Sequence, residues 1–125
     1  MIIGQAKQNK SRMLEAYQKL DALDIGGFVS YMKDDITYTF WKQSNGAGKT
    51  DMEMALQHLL TGVEGIHHKF NCVYETGHTI VSETQITCTK VNSSQIYVSG
   101  LICLKMEEGF IKVMKVFIDF TPFSI

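Results

Sequence analysis

The chain has 125 residues, enough for one domain that buries roughly two-thirds of its unfolded surface without a disulfide or metal staple. Twelve basic residues against thirteen acidic ones leave a net charge of −1, and the lysines are scattered, which argues against a nucleic-acid partner, since that would need a basic stripe. No apolar run approaches the ~18 residues of a membrane span, and residues 1–11, with two lysines and three amide side chains, do not read as a signal peptide, so a cytoplasmic protein is expected.

Asn9 or Ser11 is suited to cap a first helix, along which Met13, Leu14, Tyr17, Leu20 and Leu23 recur at helical spacing. Asp24 caps a short second helix with Ile25, Phe28, Val29 and Met32 on one face, weakened by Gly26 and Gly27. Ile36 to Trp41 is β-branched and aromatic and predicts a strand; Ser44 to Gly48 predicts a polar loop. Thr50 and Glu53 have capping-box spacing and open a third helix with Met52, Leu56, Leu59, Leu60 and Val63 as its apolar stripe. Four strands follow, over residues 67–76, 79–91, 95–106 and 110–121, separated by turns at Gly77-His78, Asn92-Ser93-Ser94 and Glu107-Glu108-Gly109. Strands joined so tightly pair antiparallel, and the pattern is α+β, one domain over 1–125 with helices on one face of the sheet.

Alternation sorts the strand faces. Ile80, Ser82, Thr84, Ile86 and Cys88 lie together, as do Ile96, Val98, Gly100, Ile102, Leu104 and Met106. In the last strand Val113, Lys115, Phe117 and Asp119 share one side and Met114, Val116, Ile118 and Phe120 the other, so both sides are greasy. One side meets the helices; a second copy of the chain is the simplest cover for the other. Asp119 stands out, because a carboxylate in an apolar strand is rarely buried without a partner or a purpose. In an apolar hollow it would titrate near neutral pH and exchange protons; satisfied locally, it would only fix the strand end.

Other motifs carry less. Gly46-Ala47-Gly48-Lys49-Thr50 looks like the end of a phosphate-binding loop, but Gln43 stands where its first glycine belongs. His67 and His68 are strand neighbours that point to opposite faces and cannot share one metal, though either can reach a pocket mouth. His58 and His78 read as surface or rim residues. Cys72, Cys88 and Cys103 are far apart and odd in number, which predicts reduced thiols rather than a zinc site or bridges. Asn92-Ser93-Ser94 matches a glycosylation sequon that serves as a hairpin turn.

The order helix, helix, strand, helix, then a four-stranded meander resembles the NTF2-like superfamily, and within it the SnoaL-like domains. The resemblance rests on Tyr17 through Asp24, Asp34-Asp35 before a strand, Gly48-Lys49 before an apolar helix, the turn Gly77 through Glu83, Gly109-Phe110-Ile111, and Lys115 through Asp119. It implies a cystatin-like cone: three N-terminal helices packed on a curved antiparallel sheet around an apolar pocket, used by isomerases, cyclases, epoxide hydrolases, dehydratases and binding modules. It also implies site residues. Asp119 matches the last-strand acid of the polyketide cyclases. Thr84 and Ile86 stand at the arginine and aspartate of the limonene-epoxide-hydrolase group, and Tyr38 and Phe40 at its water-holding tyrosine and asparagine. The steroid-isomerase base falls at Phe40, its oxyanion acid near Ile102 or Cys103, and its tyrosine one residue short of Tyr17. The expected function is binding of a small apolar ligand in a pocket lined by Tyr38, Phe40, Thr84, Ile86, Ile102, Phe117 and Asp119, with Tyr17 or Trp41 near its mouth and no cofactor or metal. The alternative is a lyase or isomerase with Asp119 as acid–base and Tyr38 as oxyanion donor.

Overall fold

A computed structural model describes residues 2–124 and the side chains of 9–123. Met1 and Ile125, the ends of the expected 1–125 domain, lie outside the described residues, as do the side chains of residues 1–8 on which much of the leader reading rests.

Helix α1 spans Ile2–Asp21, so Asn9 and Ser11 lie inside it and cap nothing. The run before them, rich in Gln, Lys and Ala, favours helix, and a good cap residue does not by itself end one. Its inner stripe is Met13, Ala16, Tyr17 and Leu20. Helix α2, Ile25–Val29, begins as the sequence predicts, with the Asp24 carboxylate accepting from the Gly27 N–H at 2.9 Å. Strand β1 is Met32–Phe40; the following residues form a short strand β2, Ser44–Ala47, where a loop is expected. Helix α3, Lys49–Leu59, is capped by Gly48 at φ 92° with no side-chain bond, so the Thr50–Glu53 box is not formed. The Gly48 N–H is held instead by the Ile36 carbonyl at 2.8 Å, and the helix entry lies two residues before the expected cap Thr50. The meander is β3 Val63–Thr76, β4 Thr79–Lys90, β5 Gln95–Glu107 and β6 Phe110–Ile118.

The sheet has six strands in the order β2-β1-β6-β5-β4-β3. It is mixed rather than antiparallel, because β1 runs parallel to β6, and α3 follows the β1–β2 hairpin instead of preceding the sheet. The α+β class stands; the all-antiparallel sheet and the three leading helices do not.

One irregularity decides which face of β6 looks inward. From the turn, Glu107 pairs with Phe110 and Met106 with Ile111, but Lys105 pairs with Val113 and Leu104 with Met114. Lys112 is an extra residue, turned aside to an ion pair with Asp35. A one-residue bulge reverses every side chain beyond it. Ile111 and Met114 are therefore both buried, and Val116 and Ile118 continue the inner row, while Lys115, Phe117 and Asp119 face outward.

Candidate functional site

Between the helices and the inner sheet face lies an apolar hollow. Tyr17, Leu20 and Phe28 come from α1 and α2, and Leu56, Leu59 and Leu60 from α3 and its end. Phe40, Ile86, Ile102, Met114 and Val116 come from the sheet, Ile66 and His68 from edge strand β3, and Phe120 and Phe123 from the chain after β6. Its free volume is about 30 Å³, room for one or two waters.

Two polar rings stand in this wall. The ring of His68 is 4% exposed, and its Nδ1 lies 2.6 Å from Oδ1 of Asp21. A carboxylate only accepts, so Nδ1 carries a proton, and in the neutral ring Nε2 is the remaining acceptor. Asp21 also accepts the His68 backbone N–H, at 3.1 Å to Oδ2, which places the last residue of α1 against the free edge of β3. Tyr17 lies one helical turn before Asp21, its ring centroid 4.8 Å from that of His68 and packed edge-on to Phe28 and Phe70. Burial, and after it the Asp21 charge, hold the Tyr17 phenol well above the usual tyrosine range, so it is a proton donor only. An oriented imidazole beside a protonated phenol in an apolar wall is chemically able to pass one proton.

The residues anticipated from sequence divide. Tyr17, Phe40, Ile86 and Ile102 do line the hollow. Thr84 is buried on the same face, but its hydroxyl is taken by Ser82, with Oγ atoms 3.0 Å apart, and it lies off the wall. Tyr38 is buried yet turned away: its hydroxyl donates to Asp51 in the first turn of α3 at 2.8 Å. Desolvation, then the Asp51 bond and charge, push its pKa up to about 12. Gly46 makes this possible. It pairs directly with Tyr38, and a Cβ there would stand 1.8 Å from Oδ2 of Asp51.

Asp119 and Phe117 lie on the outside, contrary to expectation, because the Lys112 bulge turns that row of β6 to solvent, and Phe117 is 47% exposed; Trp41, just after β1 and next to the inward Phe40, is 44% exposed. The Asp119 carboxylate accepts from the Thr121 hydroxyl at 2.6 Å and the Thr121 N–H at 3.0 Å. These bonds hold its pKa below the usual aspartate value, the opposite of what an acid–base role in a hollow requires. The glycine-rich run at Gly46–Thr50 is an edge strand and a helix entry, with Lys49 bonded to Asp34 at 3.4 Å. The dyad is half legible in the sequence: one of His67 and His68 is expected at a pocket mouth, without a choice between them, and Tyr17 and Asp21 stand at the i, i+4 spacing that puts them on one helix face. Among the described residues no group of three or more His, Cys, Asp or Glu is placed to hold a metal, and no helix is long and apolar enough to cross a membrane.

No protein-family model matches the sequence, and no curated protein matches it. Solved structures do. An NTF2-like protein of unknown function from Burkholderia pseudomallei superposes with a TM-score of 0.81 at 16% identity, over 92% of this chain and 93% of that one. The chain has the NTF2-like fold. Two other matches are a putative SnoaL-like polyketide cyclase from Jannaschia (TM-score 0.80, 14% identity, 91% of this chain and 87% of that one) and an LEH-like epoxide hydrolase from M. tuberculosis (0.79, 14%, 92% and 85%). At these identities the NTF2-like likeness is one of fold.

Proposed function

We propose that this protein binds a small apolar molecule in the hollow beneath its helices and that the His68–Asp21 dyad moves a proton at a carbon beside the molecule's carbonyl group, as a lyase or isomerase does. The observation that carries this is the 2.6 Å bond from His68 Nδ1–H to Asp21, which fixes the tautomer and leaves Nε2 as the base beside an otherwise apolar cavity. Tyr17 is the matching donor for a developing oxyanion. Asp119 has no part in the step, because its carboxylate caps a turn on the outer surface.

The neighbours described as a cyclase and as an epoxide hydrolase support small-molecule chemistry in this fold without naming the reaction. The apolar outer face, with Trp41, Leu101 and Phe117 exposed, supports a homodimer through that face. Three unbridged cysteines fit the cytoplasm. A non-catalytic binding module is the second reading; the lining favours it, since Phe40, Ile86 and Ile102 stand where the resemblance puts catalytic polar groups.

The test is α-hydrogen exchange of a small apolar ketone, 2-tetralone, in deuterated water, followed by proton NMR. The dyad reading expects exchange faster than in buffer, abolished in His68→Ala. Binding of the ketone without any acceleration leaves the module reading. Absence of binding rejects both.

A further inference from the structure

The hollow is nearly full. About 30 Å³ of free space stands against the ~300 Å³ or more of an ordinary small-molecule site, so a ligand enters only if part of the wall leaves. The wall elements differ in what secures them. Ile86, Ile102 and Val116 belong to strands paired on both sides, and Tyr17 to a helix of 20 residues. Phe123 belongs to a 3-10 turn of four residues, Thr121–Ser124, beyond the last strand. Among the described residues its seat includes individual bonds: Lys90 Nζ to the Phe123 carbonyl at 2.9 Å, Phe123 N–H to the Phe120 carbonyl at 2.8 Å, and the two Thr121 bonds to Asp119. Yet Phe123 is only 6% exposed, and its ring stands edge-on to Phe120, with centroids 5.3 Å apart and planes at 88°.

We propose that Phe123 is a resident plug whose ring occupies the place of a ligand's own aromatic ring, and that ligand entry swings the 3-10 turn outward about Asp119. This rests on the reading of the hollow as a ligand site. It also names a ligand class. The departing ring leaves a flat slot edged by Phe120 and walled by apolar groups, with His68 and Tyr17 as its polar partners. A planar ring of one or two fused cycles bearing a single hydroxyl or carbonyl fits that slot. Asp119 then acts as the clasp that holds the turn shut.

The probe is 2-naphthol, followed by its fluorescence, with 4-fluorophenylalanine at position 123 as a fluorine NMR reporter. If the open state is a minor one, about a tenth of the population, freeing the slot raises apparent affinity by roughly tenfold. Phe123→Ala is expected to bind 2-naphthol about that much tighter, and Asp119→Ala, which loosens the clasp from the surface and keeps the ring, several-fold tighter. The fluorine signal is expected to move to its solvent-exposed position on saturation. Met114→Ala, which makes space at the sheet wall and leaves the turn alone, serves as the control. A gain in Met114→Ala as large as in Phe123→Ala overturns the plug, since space alone then explains the effect. Binding with the fluorine signal unmoved also overturns it, while the ligand-site reading survives. No binding by any variant overturns both.

Discussion

Asp21 takes two hydrogen bonds from one residue, the backbone N–H of His68 at 3.1 Å and its ring Nδ1–H at 2.6 Å. The two residues are 47 positions apart, and their contact ties the end of α1 to an edge strand whose outer N–H groups would otherwise need water. The same carboxylate therefore closes the sheet edge and sets the imidazole tautomer. In Asp21→Asn the amide can donate to Nδ1, which moves the ring proton to Nε2 and removes the base. We expect ketone α-exchange to fall by about 10²-fold, the lower range for one acid–base group, with 2-naphthol affinity within a few-fold of wild type. Exchange that persists unchanged in Asp21→Asn would remove the dyad from the chemistry.

A second prediction concerns Tyr38 of β1, which sequence placed in the pocket and whose hydroxyl the structure bonds to Asp51 of α3. Its hydroxyl and Asp51 lie over Gly46, where a Cβ would come within 2.7 Å of the phenol oxygen. Gly46→Ala should separate that pair and lower stability by about 1–3 kcal/mol in urea denaturation, the range for a part-buried hydrogen bond left unmade. The loss should shrink in a Tyr38→Phe background, because the bond is already gone. The phenol also predicts a pH dependence. Its folded pKa of about 12 exceeds the ordinary 10.0, so the protonated form favours the fold. That stability is complete below the unfolded value and drains away as pH rises through the folded one. Wild type should lose ground to Tyr38→Phe between these two values, and parallel curves there would contradict the assignment.

Asp119 titrates in the opposite sense. Its pKa is depressed below the ordinary 3.8 by the Thr121 hydroxyl first and the Thr121 N–H second. The capping contribution is therefore whole above the unfolded value and is lost as pH falls through the folded one. Asp119→Asn, which keeps an acceptor, should leave ketone α-exchange unchanged at neutral pH. A large loss of exchange in that variant would restore Asp119 to the catalytic role that its strand position first suggested.

Why the strand misled is specific. Alternation in β6 correctly separated Met114, Val116 and Ile118 from Phe117 and Asp119, and correctly found both rows apolar. Choosing between them required the register from the hairpin turn, and that register is broken by the unpaired Lys112. Counting back from the turn without a bulge puts Asp119 inside. Nothing local to Lys112 announces the bulge; its partner Asp35 is on β1, far away in sequence. Short-range signals fared better. The Asp24 cap, the Met13, Tyr17 and Leu20 part of the α1 stripe and the three hairpin turns form where the residues say, because each depends on neighbours within a few positions; Leu23, expected on the same stripe, falls beyond the helix and is exposed. The β2 strand went unread because Ser44, Asn45 and Gly46 have poor strand propensity and are held there by pairing with β1. Asp21 was missed because its partner comes from tertiary structure, though its spacing from Tyr17 was in plain view.

The outer sheet face gives the last prediction. Leu101 and Phe117 are directly paired across β5 and β6, with 41% and 47% of their surfaces exposed, and Trp41 follows at the end of β1, tied by its N–H to the Val116 carbonyl. Large apolar groups packed side by side on one open face are what a second copy would cover, and a sheet meeting its own copy about a two-fold axis buries each of them twice. Covering a side chain of this size contributes about 1.5–3 kcal/mol, so Phe117→Lys should weaken self-association by at least tenfold per copy. Sedimentation velocity should show the wild type at twice the 14.1 kDa chain mass and the variant at the chain mass. Because Phe117 points away from the hollow, Phe117→Lys should keep its affinity for 2-naphthol. A wild type that sediments as a monomer across the micromolar range would refute the dimer, and a variant that loses 2-naphthol along with its partner would show that the hollow needs the second copy to hold its shape.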